Sequence, residues 1–344
     1  MSPDFTPTLN EGFIFRPAFD TDIPAISDLL NLYWEPLVGL RKFTPEDLTT
    51  QFHLPGFSLA DSVRLILSPS GLLVGVIQVF DMDNPPIHPN VGGCVHPSFE
   101  HQGLGSTLIE WGEWRARQAI TRVPDGLRVS MVMNSEPTHQ PTLHLFEKMG
   151  MLSERYFFLM VKDLSEPYPQ PVWPDGLLLR TYVENPDLRS YYRATIEAFL
   201  DHWGFIEGNE DERIARWRYR LEHDKDIDPS LWFMVMDGGQ IAAISRCSPN
   251  TGSDTSMGFV DTLGVRRPWR RQGLALNLLY HVFAEFARRG KQRVALGVDA
   301  NSLTGATRLY EKAGMVVASR MAQFNKILRP GEELGTQSIA EGVE

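Results

Sequence analysis

The sequence predicts a mixed α/β protein built from two copies of one domain in tandem, and three observations lead there. The first is an internal repeat. The run Val95-His96-Pro97-Ser98-Phe99-Glu100-His101-Gln102-Gly103-Leu104-Gly105 aligns with Val265-Arg266-Arg267-Pro268-Trp269-Arg270-Arg271-Gln272-Gly273-Leu274-Ala275, and both keep Gln-Gly-Leu followed by a small residue. Farther on, Leu145-Phe146-Glu147-Lys148-Met149-Gly150-Met151 aligns with Leu309-Tyr310-Glu311-Lys312-Ala313-Gly314-Met315, so the matches keep their order. The second observation is the alternation of strand and helix patterns within each half. The third is a break, because Ser165 to Gly176 carries Pro167, Pro169, Pro171 and Pro174, a composition that propagates neither helix nor central strand. The expected domains are 1–164 and 177–330, joined by a Pro-rich linker at 165–176 and followed by a flexible tail at 331–344. Each is about the usual domain size.

In the second half Leu177 to Thr181 reads as a short strand, and Pro186 to Phe199 and Asp211 to Arg220 as helices. Leu231 to Met236 and Gln240 to Arg246 are strands around Asp237-Gly238-Gly239, a hairpin signal. Met257 to Val265 is another strand. After the turn, Leu274, Leu278, Val282 and Phe286 recur every four residues, and Gly290 closes a helix. Arg293 to Val298 is a buried strand, Thr304 to Ala313 a helix, and Val316 to Ile327 a terminal strand pair. The first half repeats this plan from Phe13 to Leu164.

Composition narrows the function classes. With 42% hydrophobic and 10% aromatic residues, the 344-residue chain can bury two cores, which excludes disordered and fibrous classes. The 33 Lys+Arg against 43 Asp+Glu give a net charge of −10, which opposes the nucleic-acid backbone, so no nucleic-acid partner is expected. Cys94 and Cys247 provide no disulfide framework, and Cys94 reads as a small buried hydrophobe. His96, His101, His139 and His144 lack metal spacing, so no metal is expected. Without a signal-like amino end or a membrane-length apolar run, the expectation is a cytoplasmic, soluble protein with no membrane contact.

The chemistry is expected at the repeated turn. A strand, a turn with small residues at close-approach positions and then a helix gather free backbone N–H groups and the positive helix end on one anion. In the second copy Gly273 and Ala275 keep bulk away, and Arg270 and Arg271 add positive charge; a plain tight turn with surface arginines is the alternative. The motif lacks the Gly-Lys-Ser/Thr of a Walker loop and the third Gly of a dinucleotide fingerprint.

The chain resembles the GNAT acetyltransferase superfamily in Val265 to Ala275, in the strand upstream, and in Asn301 with Leu309-Tyr310-Glu311-Lys312-Ala313-Gly314. The resemblance covers both halves and implies two tandem GNAT-like domains, each a mixed sheet splayed into a V and flanked by helices, with acetyl-CoA lying in the V. It implies that the backbone of Leu263 and Val265 holds the pantetheine arm. The N–H groups of Arg271, Gln272, Gly273, Leu274 and Ala275 would hold the pyrophosphate, with Arg270 and Asn301 beside the cofactor. Tyr310 stands where the family keeps an acid for the thiolate; a core tyrosine is the alternative.

In the first copy Glu100 replaces Arg270 and Phe146 replaces Tyr310, so catalysis is assigned to the second half and the first reads as a catalytically degenerate structural or regulatory partner. The family often has a glutamate where Phe259 stands. With strand alternation placing 259, 261 and 263 on one face, Asp261 becomes the candidate base, against a role pairing with an arginine. The Asp201-His202-Trp203 run is the candidate amine-binding wall, against a helix end with core aromatics. Glu207, Glu210, Asp211 and Glu212 read as a solvated face. The expected function is N-acetyl transfer from acetyl-CoA to a primary amine of a small molecule; the alternative is a non-catalytic acyl-CoA-binding sensor. The amine and the oligomeric state are left open.

Overall fold

Strands and helices form where the apolar periodicity puts them in a computed structural model, which describes residues 5–39 and 41–338. In chain order these are β1 (Ile14–Pro17), α1 (Ile23–Val38), α2 (Pro45–Phe52), α3 (Leu59–Ser62), β2 (Val63–Leu67), β3 (Leu73–Phe80), β4 (Asn90–Val95), α4 (Leu104–Arg117), β5 (Val129–Ser135), α5 (Gln140–Lys148) and β6 (Leu152–Asp163). There follow β7 (Leu177–Thr181), α6 (Leu188–Phe199), α7 (Glu210–His223), β8 (Trp232–Asp237), β9 (Gln240–Ser248), β10 (Met257–Val265), α8 (Leu274–Arg288), β11 (Arg293–Asp299), α9 (Ala306–Lys312) and β12 (Val316–Arg329). The mixed α/β class and the repeated plan are those expected.

The division of the chain differs from the expected 1–164 and 177–330. Of the described residues, one compact unit holds those up to Arg155 together with Met321–Leu334; the other holds Tyr156–Arg320 and 335–338. The first unit's sheet runs β1-β2-β3-β4-β5-β12, with β12 antiparallel to β5 from Ala322 to Arg329. The second unit's sheet runs β7-β8-β9-β10-β11-β6, with β6 antiparallel to β11 over seven residue pairs. Each half thus completes its sheet with the last strand of the other. A strand's backbone ladder must be satisfied along its length, and period-2 alternation does not say which edge satisfies it. The expected pair at Val316 to Ile327 is one 14-residue strand.

Helix boundaries follow their caps. α6 starts at Leu188 rather than Pro186 because Asp187 accepts the Ser190 N–H at 3.0 Å. α7 starts where Asn209 accepts the Glu212 N–H at 3.0 Å, so the acidic run forms its first turn, where carboxylates meet the positive helix end. Glu210 also pairs there with Arg189 and Arg193. On α8 the predicted stripe Leu274, Leu278, Val282 and Phe286 is fully buried against Val260 of β10, Leu296 of β11 and Met160 of β6.

The linker and tail are both held. Val172 N–H donates to Asn277 Oδ1 at 2.9 Å, and Tyr168 sits edge-on to Phe283. Glu333 accepts from Arg128 Nε at 2.9 Å, Thr336 N–H donates to the Phe205 carbonyl at 3.0 Å, and the Thr336 carbonyl accepts the Gly204 N–H at 2.8 Å. The expected flexible tail is therefore tied down through Gln337, and residues 339–344 lie outside the described ones. Among the described residues no helix is long and apolar enough to cross a membrane.

Because β6 covers the β11 edge, residues 177–330 produced alone should give no cooperative thermal transition, whereas residues 152–338, which restore β6, should give one by circular dichroism. Equal transitions for the two fragments would show that the exchanged strand is dispensable.

Candidate active site

The site begins where two parallel strands part. β10 and β11 pair from Met257–Arg293 to Val260–Leu296 and then stop. From Thr262 to Val265, β10 pairs only with β9, so its backbone groups on the other edge have no strand partner. Asp261 is the extra residue of a bulge between the Val260–Cys247 and Thr262–Arg246 pairs. The bulge resets alternation. Phe259 and Thr262 lie on the face of Ser248 and Arg246, while Val260 and Leu263 lie on that of Cys247 and Ser245. Residues 259 and 263 therefore face opposite sides, not the same side as simple alternation predicts. On the Arg246 face α6 packs so closely that a Cβ on Gly264 would stand 2.7 Å from Ala198 Cβ.

Past β10 the chain makes the predicted turn. Arg271 adopts φ +63° and Gly273 φ +79°, and α8 starts at Leu274 without a side-chain cap. Among the described residues the N–H groups of Arg271, Gln272 and Gly273 donate to no backbone carbonyl. With the first free N–H groups of α8 they form a concave donor array of the kind that holds phosphate oxygens. A left-handed non-glycine residue costs on the order of 1 kcal/mol. Among the described residues only Arg271 and His101, its counterpart in the first half, are in that state.

The arginines divide their roles. Arg270 donates Nη1 to Asp201 at 2.6 Å, Nε to the Val265 carbonyl at 3.1 Å and Nη2 to the Ala198 carbonyl at 3.3 Å. Arg267 holds both Asp201 oxygens, Oδ1 through Nη2 and Oδ2 through Nε at 3.1 Å. Asp201 is 3% exposed, and its two arginines hold its carboxyl down at about 2, the Arg267 hydrogen bond acting most strongly. Asp201 is thus a buried anchor of the turn rather than the amine-attracting carboxylate expected from sequence, and Arg270 braces the loop with its charge already paired. Arg271 remains as the exposed cation of the turn. Trp203 donates Nε1 to Gln337 Oε1 at 3.2 Å, tying the helix end to the tail.

A cleft of about 990 Å³ opens between the parted strand, the turn and α9, lined by Leu263, Val265, Arg270, Arg271, Gly273, Leu274, Ala275, His202 and Tyr310 among others. Gln272 is exposed beside it. Asn301 is exposed in the turn after β11, its N–H donating to Asp299, and neither residue lines the cleft. Tyr310 is 8% exposed, and burial raises its hydroxyl to about 12, so it stays protonated at neutral pH. Among the described residues no group bonds that hydroxyl. His202 packs on Phe199 with ring centroids 4.1 Å apart; burial, reinforced by Arg270, lowers its pKa and keeps the ring neutral.

Asp261 is open to solvent on one side and crowded by protein on the others. That crowding raises its carboxyl, against the opposing pull of Arg246 and of the Ser248 hydroxyl, which donates to it at 2.7 Å. Arg246 stacks on Trp217 at 4.7 Å and faces Trp232 at 5.8 Å. Sequence reasoning missed this arginine and its two rings; the strand pattern offered only a polar residue at the end of an apolar run.

In the first half a cleft of about 640 Å³ is lined by Glu100, His101, Gly103, Gly105, Gln78 and Phe146. His101 and Gly103 repeat the left-handed backbone at φ +61° and +83°. Phe146 sits edge-on to Phe324 and offers no proton. Tyr33, Thr142 and His139 form a hydrogen-bonded cluster at this cleft, at 2.8 Å for Tyr33–Thr142 and for His139–Thr142.

The model of the acetyltransferase (GNAT) family matches residues 26–151 and 187–315. A mycothiol acetyltransferase of Streptomyces bingchenggensis is 28% identical over 265 residues, covering 74% of this chain and 78% of that protein. One from Thermobispora bispora is 27% identical, covering 64% and 70%. Among solved structures, a GCN5-related N-acetyltransferase from Sphaerobacter thermophilus superposes with a TM-score of 0.76 at 32% identity, over 95% of this chain and 99% of that one. A tandem GNAT protein from the clavulanic acid biosynthesis pathway shares the fold, with a TM-score of 0.69 at 16% identity, over 93% and 100%.

Asp201→Asn should destabilise the second unit by about 2 kcal/mol at neutral pH, since the shift from 3.8 to about 2 is worth that much. A lowered folded-state pKa stabilises above the unfolded value, so the gap between wild type and variant should be complete above about pH 4. It should close as pH falls towards 2 in thermal melts. A gap independent of pH would mean that the carboxylate's charge is not what anchors the turn.

Proposed function

The chain belongs to the acetyltransferase (GNAT) family, and on that premise we propose that its second half transfers the acetyl group of acetyl-CoA to a primary amine of a small molecule. The observation that carries this reading is Tyr310, a protonated hydroxyl with no hydrogen-bond partner among the described residues, on the wall of the cleft that starts at the phosphate-type turn. Acetyl-CoA would lay its pyrophosphate on the N–H groups from Arg271 to Ala275 and run its pantetheine arm along the open edge of β10. The thioester carbonyl would then be polarised by backbone N–H near Leu263 and Val265.

The amine nitrogen attacks the thioester carbon, the carbon–nitrogen bond forms and the carbon–sulfur bond breaks. The thiolate takes the Tyr310 proton. Asp261 takes the proton that the nitrogen sheds, directly or through water. A carboxyl raised by its surroundings is a better base than an ordinary one. The first half, with Phe146 at the tyrosine position and Glu100 at the turn, is read as non-catalytic.

Tyr310→Phe should keep the fold and acetyl-CoA affinity while kcat falls by about 10²-fold, measured by CoA release with an amine panel. Unchanged turnover would assign the proton to water. Arg271→Glu should weaken acetyl-CoA binding without lowering the melting temperature, whereas Arg270→Glu should lower both, because Arg270 also braces the turn. Activity needs Asp261 deprotonated, so it should rise with pH through that group's raised pKa and again as the amine loses its proton. Asp261→Asn should lower kcat/KM and leave only the amine's limb of the pH profile.

A further inference from the structure

Arg246 has its guanidinium held, while its hydrogen-bond donors meet no acceptor among the described residues. The side chain projects from β9 beside Thr262 of β10 and rests against Trp217 of α7 and Trp232 of β8. Stacking fixes the plane of the fork and leaves its N–H edge available. Among the described residues no hydrogen bond or ion pair engages those N–H groups. A partly buried guanidinium without an acceptor is costly unless something supplies one.

The nearest opposite charge does not supply it. Arg246 stands close enough to Asp261 to pull its carboxyl down, yet among the described residues the two form no ion pair, and the Asp261 carboxylate is engaged by Ser248 instead. Arg220 adds further positive charge towards Asp261, and the Tyr191 hydroxyl, buried with no hydrogen-bond partner among the described residues, lies within electrostatic reach of both Arg246 and Asp261. A cation and an anion thus stand close together on the sheet without pairing. A molecule carrying the two charges in reverse order would be complementary to them.

We propose that the acceptor of the second half is zwitterionic, an amino acid or a related amino carboxylate, whose carboxylate is taken by the N–H edge of Arg246 while its amine meets Asp261. This rests on the acetyl-transfer reading and names the substrate class of that site. The planar fork of a single arginine matches the two oxygens of a carboxylate. The polyanion's donor array, by contrast, is at the turn from Arg271 to Gly273. The amine then lies on β10 two to four residues before Leu263 and Val265, within about 7–13 Å of the backbone that would hold the thioester end.

The test pairs each standard amino acid with its own primary carboxamide, which keeps the amine and side chain and removes the negative charge. With acetyl-CoA in excess, at least one acid should exceed its amide in kcat/KM by about 10- to 100-fold. The amide's amine is the less protonated of the two, so amine reactivity alone, without recognition of the carboxylate, would give the opposite order. Arg246→Gln should abolish the preference by raising KM for the acid far more than for the amide, any effect through Asp261 being common to both. Arg246→Lys, which keeps the charge and loses the fork, should restore part of it and serves if the glutamine variant does not fold.

Amides that react as well as acids, or an Arg246→Gln loss shared equally by both, would overturn the inference while leaving acetyl transfer standing. If no amine of any kind releases CoA, acetyl transfer fails, and calorimetric binding of the acids and amides then decides the inference by itself. Acid binding that depends on Arg246 upholds it, and equal or absent binding overturns it.

Discussion

Everything at the second unit's site depends on β10 ceasing to pair with β11 after Val260. Up to that residue the strand is an ordinary member of a sheet, satisfied on both edges. Beyond it one edge is open, and an open edge inside a protein needs a ligand or water to satisfy its N–H and C=O groups. The bulge at Asp261 falls at the point of parting, where it bends the strand and releases one carboxylate from the regular alternation. The end of strand pairing and the candidate base therefore coincide at one extra residue.

The opened strand leads into a turn that has to be held against its own charges. Arg266, Arg267, Arg270 and Arg271 lie within six residues, and mutual repulsion would spread them. Asp201 collects two of them from the end of α6, and Glu197 takes Arg266 at 2.6 Å. A carboxylate 3% exposed is stabilised only if its partners stay in place, so the pairing works in both directions: the arginines keep Asp201 charged, and Asp201 keeps the turn closed. What remains for a ligand is the backbone donor array and the charge of Arg271.

Legibility followed distance along the chain. Gly273, the α8 stripe and Tyr310 were readable because each belongs to a local pattern, a turn or a four-residue spacing on one helix. Asp201 was misread because its partners stand 66 and 69 residues away, and a carboxylate next to a histidine and a tryptophan looks the same in a sequence whether it faces a substrate or an arginine. The faces of Phe259 and Leu263 were misassigned because a bulge exists only in the register of two strands. The exchange of β6 and β12 was invisible for the same reason, since alternation identifies a strand but not its neighbour. Arg246 acquires meaning only when β8, β9 and α7 bring it against Trp232 and Trp217.

Comparison of the two halves separates what backbone and side chains each contribute. His101 and Arg271 share a left-handed conformation that neither residue type favours, and Gly103 and Gly273 share the one that follows. The backbone device is thus the same in both, although Glu100 stands in one turn where Arg270 stands in the other. Arg270 bonds Asp201, Val265 and Ala198, whereas a glutamate, having only acceptors, cannot donate to the corresponding carbonyls. Phe146 and Tyr310 have nearly the same ring and are both buried, at 3% and 8% exposure, so the packing demand at that position is met either way. At that position the halves differ by one hydroxyl, a difference of chemistry set on a shared fold.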